Sequence, residues 1–376
     1  MSNPTPQPPC SHVLPIGEGL TRLDAWLGEG HPTILGQLAP TNIDQLADVM
    51  QWAIAHHQKL VIRGKGTQAA GRSLVEPFWI LDTAELDVPV EEFEDSRAYW
   101  LPASATVAEV ENYVRGRGGS LGIWHRLFPH QSLGGAVSTA LPFATQGFYQ
   151  RGVNCMAIEA VSALGRRVET PDASRSAAGM GMRGLWVGSR GQVGVITRVL
   201  VSVEATARDS DMYVLRPENL SEACRIAHNL LRQDYVPELA LIGSDRHGAY
   251  LLWAQRSGSI RDTQLADTMV QYGEGRFDPH SLETILGLYR DAWLAPAADR
   301  RTAGIRWSES ERFCTALDGR KSHWQLRVSG LQGMTYVGLR PHLRDLPEPN
   351  AQLASDMAQV RAALDPHGLF HVPPES

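Results

Sequence analysis

The chain has 376 residues, 43% hydrophobic and 20% charged, which supplies packed cores for about two to three domains and excludes wholesale disorder. Its 35 Lys and Arg against 41 Asp and Glu leave a net charge of −6, which argues against a nucleic-acid binder with a basic face. No apolar run approaches the roughly 20 residues that span a bilayer, so no direct membrane insertion is expected. Met1 to Cys10 is polar and proline-rich and predicts no secretory signal. The four cysteines, Cys10, Cys155, Cys224 and Cys314, form no C-x-x-C pair. That spacing predicts neither a zinc ribbon nor a cysteine-held iron–sulfur cluster in this chain, and it suits a reduced, cytoplasmic compartment.

Residues 1–35 mix Pro, Gly and polar residues and read as a loosely ordered lead-in. Thr41 then stands as an N-cap, with Asp44 at the positive end of the dipole. Ile43, Leu46, Ala47, Met50, Ala53 and Ile54 form one stripe of helical period, and His57 continues it as a core or boundary residue. Leu60-Val61-Ile62 reads as a buried strand. A strand at 98–101 leads to a helix over 105–116. A loop over 121–131 follows, holding Trp124, His125, Phe128 and His130. Residues 157–168 read as a hairpin turning at Leu164-Gly165, and 193–203 as a long strand with Val199, Val201 and Val203 on one face. Past 205–211 the expected order is strand 212–215, helix 221–231, strands 238–242 and 249–255, helix 260–272, strands 323–328 and 333–339, and a last helix 350–364. The block from 206 reads as a small ferredoxin-like α+β unit.

Three glycine clusters punctuate the first 200 residues. The first is Arg63-Gly64-Lys65-Gly66-Thr67, with Gly71 beyond, directly after a buried strand. Such a turn lets N–H groups converge on an anion. It is not a P-loop, because Lys59 and Gly66 stand where glycine and Ser or Thr belong. Nor does it fit a Rossmann turn, because Ala69 replaces the third glycine and no clean helix opens. The second is Ser132-Leu133-Gly134-Gly135-Ala136-Val137-Ser138, which permits close approach of a flat ligand or of a neighbouring helix. The third, Gly188-Ser189-Arg190-Gly191-Gln192-Val193-Gly194-Val195-Ile196-Thr197, runs into a strand instead of a helix. Taken alone, each is also explained by a tight turn or close packing.

Taken together, their order resembles the FAD-binding domain of the vanillyl-alcohol oxidase / p-cresol methylhydroxylase (PCMH) family, and most of all the FAD-binding E subunit of glycolate oxidase. Leu81-Asp82 resembles the family's "LD" strand, Ser132 to Gly135 its T-[LI]-G-G loop, and Gly188 to Thr197 its G-S-x-G-x-x-G-V-I-T signature. Leu364-Asp365-Pro366-His367-Gly368-Leu369-Phe370 resembles its ending. The resemblance implies an α+β fold: a PCMH-type FAD-binding domain of two subdomains over 36–205, a cap over 206–345, and a C-terminal helix and tail over 346–376 returning to the FAD domain. It implies that the amides of Gly64, Lys65, Gly66 and Thr67 hold the FAD pyrophosphate. Ser132, Leu133, Gly134, Gly135 and Ser138 would lie along the flavin. Gly188, Ser189, Gly191, Gly194 and Val195 would shape the second wall, and the Ile196 backbone would meet the adenine. Thr67 stands where covalently flavinylated members carry His, which implies non-covalent FAD.

The chain also departs from the pattern. Ala140-Leu141-Pro142-Phe143 replaces Asn-Ala-Gly-Gly, residues 154–158 replace Arg-Asp-x-Val-Leu-Gly, and His371-Val372-Pro373 replaces Asn-Pro-Gly. The cap histidine motif of 2-hydroxy-acid oxidising relatives is absent, since Ala249-Tyr250 follow His247-Gly248. Candidates for a catalytic base are His125 and His130, for which an ordinary structural role is the competing reading. Trp124 and Phe128 suit either the flavin's flank or an aromatic core. Arg306-Trp307 and His323-Trp324 are candidates for a substrate mouth. Arg63 faces either a carboxylate or a phosphate. Three functions remain open. One is a flavoprotein subunit relaying electrons from hydroxy-acid oxidation, in a complex with a larger FAD-linked oxidase subunit and an iron–sulfur subunit, cytoplasmic or held at the membrane's inner face through partners. The others are a stand-alone FAD-dependent hydroxy-acid or alcohol dehydrogenase, and a scaffold subunit that has lost FAD.

Overall fold

The computed structural model describes residues 8–9, 13–14, 33–67, 76–122, 124–139, 154–172, 182–205, 208–233, 235, 237, 239–245, 247–257, 260–272, 279–294, 300–317, 324–328, 334–339, 359–360, 362–367 and 369–370. The first sheet is built from β1 (Val13–Leu14), β2 (Ile34–Leu38), β3 (Leu60–Arg63) and β4 (Phe78–Asp82), with α1 (Ile43–Ala55) between β2 and β3. Its order is β1-β2-β4-β3, and β4 pairs in parallel with both β2 and β3. All five residues of β4 are buried, as expected for a parallel strand covered on both faces. The expected loose lead-in thus contributes a strand, since Val13 and Leu14 pair with Leu38 and Gln37.

Asn42, not Thr41, caps α1: its side-chain oxygen accepts from the Gln45 N–H at 3.0 Å. Thr41 instead donates its N–H and hydroxyl to Gln45 Oε1 at 2.9 and 3.0 Å. Leu46, Val49, Met50, Trp52 and Ala53 face the core. His57 is exposed instead of buried. It sits just past the helix end with φ of 52°, so it has left the stripe.

The second sheet holds β5 (Glu91–Phe93), β6 (Ala98–Pro102), β8 (Asn154–Ser162), β9 (Arg167–Glu169) and β10 (Gly194–Ser202), antiparallel in the order β5-β6-β10-β8-β9. Residues 154–158 are therefore ordinary strand paired with β10. The hairpin at Leu164-Gly165 is present, tied to α1 by Gln51 Nε2, which donates to the Leu164 carbonyl at 2.8 Å. Between β6 and β8 come α2 (Val107–Arg115), β7 (Gly119–Ser120), α3 (Trp124–Leu127) and α4 (Leu133–Ser138); β11 (Glu204–Ala205) pairs with β7. On α2, Thr106 and Glu109 form a reciprocal capping box.

The third sheet has six strands: β12 (Arg208–Leu215), β13 (Leu239–Asp245), β14 (Gly248–Ser257), β15 (Arg300–Ile305), β16 (Trp324–Val328) and β17 (Met334–Leu339). All pair antiparallel, in the order β12-β14-β13-β16-β17-β15. Its helices are α5 (Leu220–Arg232), α6 (Ile260–Gln271), α7 (Pro279–Leu294) and α8 (Ser310–Leu317). Side chains alternate along β13. Ala240 and Ile242 share a core with α5, α6 and α8. Leu239 and Leu241 share the other core with Leu282, Ile285, Leu286 and Tyr289 of α7, and that core continues into Leu101, Trp124, Leu133 and Val199. One apolar cluster therefore joins the second and third sheets.

The helix expected over 350–364 is helical at 359–360 and 362–364; residues 350–358 lie outside the described residues. The chain end packs on the first sheet. The Leu60 N–H donates to the Leu369 carbonyl at 2.9 Å, and Asp365 accepts from the amides of Leu369 and Phe370 at 2.8 and 2.9 Å. No helix among the described residues is long and apolar enough to cross a membrane.

Candidate cofactor site

β3 is buried at its start and opens at Arg63, after which the chain bends through Gly64 to Thr67. The Arg63 guanidinium is turned back into the sheet, where Nη1 meets Asp82 Oδ2 at 2.8 Å. Gln37 Nε2 donates to the same oxygen at 2.8 Å, and the Ala84 N–H to Oδ1 at 2.9 Å. Burial raises the Asp82 pKa above the usual carboxylate value, against the pull of the Ala84 amide and of Arg63. Arg63 is thus a brace for the turn, and the carboxylate alternative is the one realised. The bend itself uses none of its N–H groups internally: those of Gly64, Lys65, Gly66 and Thr67 find no acceptor among the described residues.

The second cluster forms α4 and its cap. Ser132 Oγ accepts from the Gly135 N–H at 3.2 Å. A Cβ on Gly64 would come within 2.8 Å of that Oγ, and one on Gly134 within 2.8 Å of Ala103 Cβ. Glycine is required at both places by close approach. Thr67 donates to Gln131 Oε1 at 2.5 Å, so a side-chain bond ties the first loop to the residue preceding the second.

The third cluster closes the arrangement. The Gly188 N–H donates to the Val137 carbonyl at 3.0 Å and the Arg190 N–H to the Ser138 carbonyl at 2.6 Å, which docks this loop on the end of α4. Gly191 has φ of +74°, and a Cβ there would meet Ile62 Cδ1 at 3.1 Å. The three clusters, scattered through about 130 residues of sequence, are direct neighbours (Gly64 with Ser132, Thr67 with Gln131, Ser138 with Arg190, Gly191 with Ile62). Ser189 Oγ and Gln192 Oε1 are buried and have no hydrogen-bond partner among the described residues. Unused turn amides in the first loop and buried, unpartnered polar atoms in the third, on loops that the glycines let approach closely, fit a polar dinucleotide.

Residues 35–171 match a family model described as FAD binding domain. The fold is of the PCMH/VAO type, and the cofactor that this domain binds is FAD. Similar solved structures cover nearly the whole chain. Alkyldihydroxyacetonephosphate synthase in crystal form P1 has a TM-score of 0.62 at 12% identity, covering 89% of this chain and 75% of that one. The same enzyme in P212121 gives 0.66 at 11% identity, with 91% and 76% covered. BBE-like #28 from Arabidopsis thaliana gives 0.54 at 14% identity, with 94% and 82% covered. At these identities the likeness is one of fold. No curated protein matches the chain.

Leu133, Val195 and Ile196 are buried in the cores, so their side chains pack there. Gly71 lies outside the described residues, as do Ala140 to Phe143, Gly368, His371 to Pro373 and His323. Gly194 opens β10 with φ of +145° opposite Ser162. His125 is held by its Nδ1, 2.5 Å from the Gly122 carbonyl and 3.6 Å from Glu111 Oε1, and His130 is exposed. Trp124 and Phe128 belong to the core. Trp307 stacks on His228, 4.9 Å between centroids, and packs with the α5 side of the third sheet, away from the α7 side that meets the FAD domain. Among the described residues no three His, Cys, Asp or Glu side chains gather as a metal site. Gln131 is the residue that sequence reasoning missed.

Proposed function

We propose that this chain is a flavoprotein subunit of a glycolate oxidase-like complex, holding non-covalent FAD and relaying electrons from a larger FAD-linked oxidase subunit to an iron–sulfur partner. The observation that carries the reading is the convergence of the three glycine loops, with four turn amides free of acceptors among the described residues. FAD, when bound, supplies the hydride or electron acceptor. The chain's share is placement: the Gly64 to Thr67 amides would hold the pyrophosphate, while α4 and the Gly188 to Gly194 loop would hold the flavin end. Asp82 and Gln131 keep the first loop in place. The Thr67 hydroxyl is engaged by Gln131 and is no histidine, which supports a non-covalent cofactor.

An auxiliary role is favoured over a self-contained dehydrogenase for a small hydroxy acid or alcohol, because His125 is committed to structural partners and His130 is exposed. Attachment to a membrane's inner face would then come through the partner subunits. The test is the absorption spectrum of the purified chain, before and after precipitation with acid. The expected result is a flavin spectrum that acid releases into the supernatant, and that neither glycolate nor D-lactate bleaches anaerobically without partners. Bleaching by either acid alone would replace the relay by a dehydrogenase. Absence of flavin, with no uptake of added FAD, would leave the scaffold reading.

A further inference from the structure

The α5 side of the third sheet carries a sulfur cluster that the flavin reading does not use. Cys224 on α5 and Cys314 on α8 bring their Sγ atoms to 3.2 Å, although 90 residues separate them. Met334 Sδ, from β17, lies 3.9 Å from Cys224 Sγ. Both thiols are buried, 3% and 1% exposed, in the core formed by α5, α6 and α8 on the sheet. The opposite face of that sheet carries the apolar cluster shared with Leu133 and Ile196. The pair therefore lies on the face of the sheet turned away from that cluster and brings α5 and α8 together as free thiols.

We propose that Cys224 and Cys314 are a reversible dithiol–disulfide pair that locks α5 to α8 when the surroundings turn oxidising. At 3.2 Å the two Sγ atoms are in contact, and a disulfide requires them to close to about 2.05 Å. With hydrogen peroxide as oxidant, one thiolate attacks a peroxide oxygen, the O–O bond breaks, and that sulfur becomes a sulfenic acid as water leaves. The second thiolate attacks the sulfenic sulfur, the S–S bond forms, and a second water leaves. The two thiols lose two electrons and two protons, and the peroxide is reduced to two waters. An external dithiol reverses the step by exchange. The neighbouring Cys314 thiol and burial both push the Cys224 thiol up, so thiolate is scarce and attack on peroxide is slow at neutral pH. Closing so long a loop restricts the unfolded chain and raises the stability of this unit.

The experiment treats the full chain with hydrogen peroxide, then unfolds it, alkylates free thiols and maps the peptides by mass spectrometry. The expected product is a Cys224–Cys314 crosslinked peptide lighter by two hydrogens and restored by dithiothreitol. The oxidised wild type is expected to melt several degrees higher than the reduced one, a shift absent from Cys314→Ala. Both cysteines fully alkylated after treatment, either one linked to Cys10 or Cys155, or a single cysteine over-oxidised without a crosslink, would each overturn the proposal. The peptide map needs only the wild type, so it decides the matter even where Cys314→Ala fails to fold. Running it with and without added FAD separates this result from the flavin reading, since the crosslink is expected in both.

Discussion

The hydroxyl of Thr67 donates to Gln131 Oε1 across 64 residues of sequence, and this bond holds the first glycine loop against the second. Gln131 is buried, so replacing it with leucine removes the acceptor and strands the hydroxyl. An interaction lost in that way costs about 1–3 kcal/mol. Gln131→Leu is expected to weaken FAD binding about tenfold or more, at about 1.4 kcal/mol per decade, in a flavin fluorescence titration. Thr67→Val alone, and the double variant, should lose little beyond the single change, because the two residues act as one. An unchanged titration for Gln131→Leu would detach this pair from the site. The contrast with the glycines is physical. Gly64, Gly134 and Gly191 are legible because a Cβ at each would collide with a neighbour, so the residue type itself reports the close approach. A glutamine in a loop carries no such mark; its meaning depends on a partner far away in the chain. Arg63 was ambiguous for the same reason, since only the fold brings Asp82 to it.

Among elements, α1, α2 and the hairpin turning at Gly165 are legible from period and punctuation, because each has one buried and one wetter face or a glycine turn, and β10 from its β-branched run, buried nearly throughout. The segment α7–β15–α8 is not legible in the sequence. Leu282, Ile285, Leu286 and Tyr289 do follow helical spacing, but α7 contains Gly287 and begins at Pro279, and β15 is an edge strand without alternation. The chain end gives a test at this scale. Asp365 holds the turn before Leu369 through two amides, and burial raises its pKa above the ordinary value despite those amides, Lys59 and His367. The folded protein therefore binds this proton more tightly than the unfolded chain. The resulting stabilisation is present below the unfolded pKa and is lost as pH rises through the higher folded one. Asp365→Asn cannot titrate and, like the protonated acid, presents one carbonyl oxygen. Relative to wild type it is expected to gain stability between pH 4 and pH 7, because only the wild-type carboxyl loses the protonated-state contribution over that range. Urea unfolding at the two values measures it; a variant that loses stability relative to wild type as pH rises would contradict the burial argument.

At the scale of the molecule, the deciding feature is the apolar cluster that passes from Leu101, Trp124 and Val199 into Leu241, Tyr250 and Ile285. A boundary between two independently folding units should be crossed by few contacts and be largely polar. This one is crossed by fully buried side chains, with α3 packed on α7. The glycine loops border the same cluster, because Leu133 precedes Gly134 and Ile196 follows Gly194. Cofactor binding and third-sheet packing should therefore be coupled in stability. The expected outcome is one calorimetric transition for the chain, shifted upward by FAD; a hundredfold excess over the dissociation constant adds about 2.7 kcal/mol. Ile285→Ala, fully buried on α7, is expected to lower that single transition by about 2–5 kcal/mol in stability, and to lower flavin release and loss of near-ultraviolet dichroism together. If the variant instead split the melt, with a flavin-binding part unchanged and only the third sheet unfolding early, the cluster would be a contact between separate units and the cofactor would sense nothing of the sheet behind it.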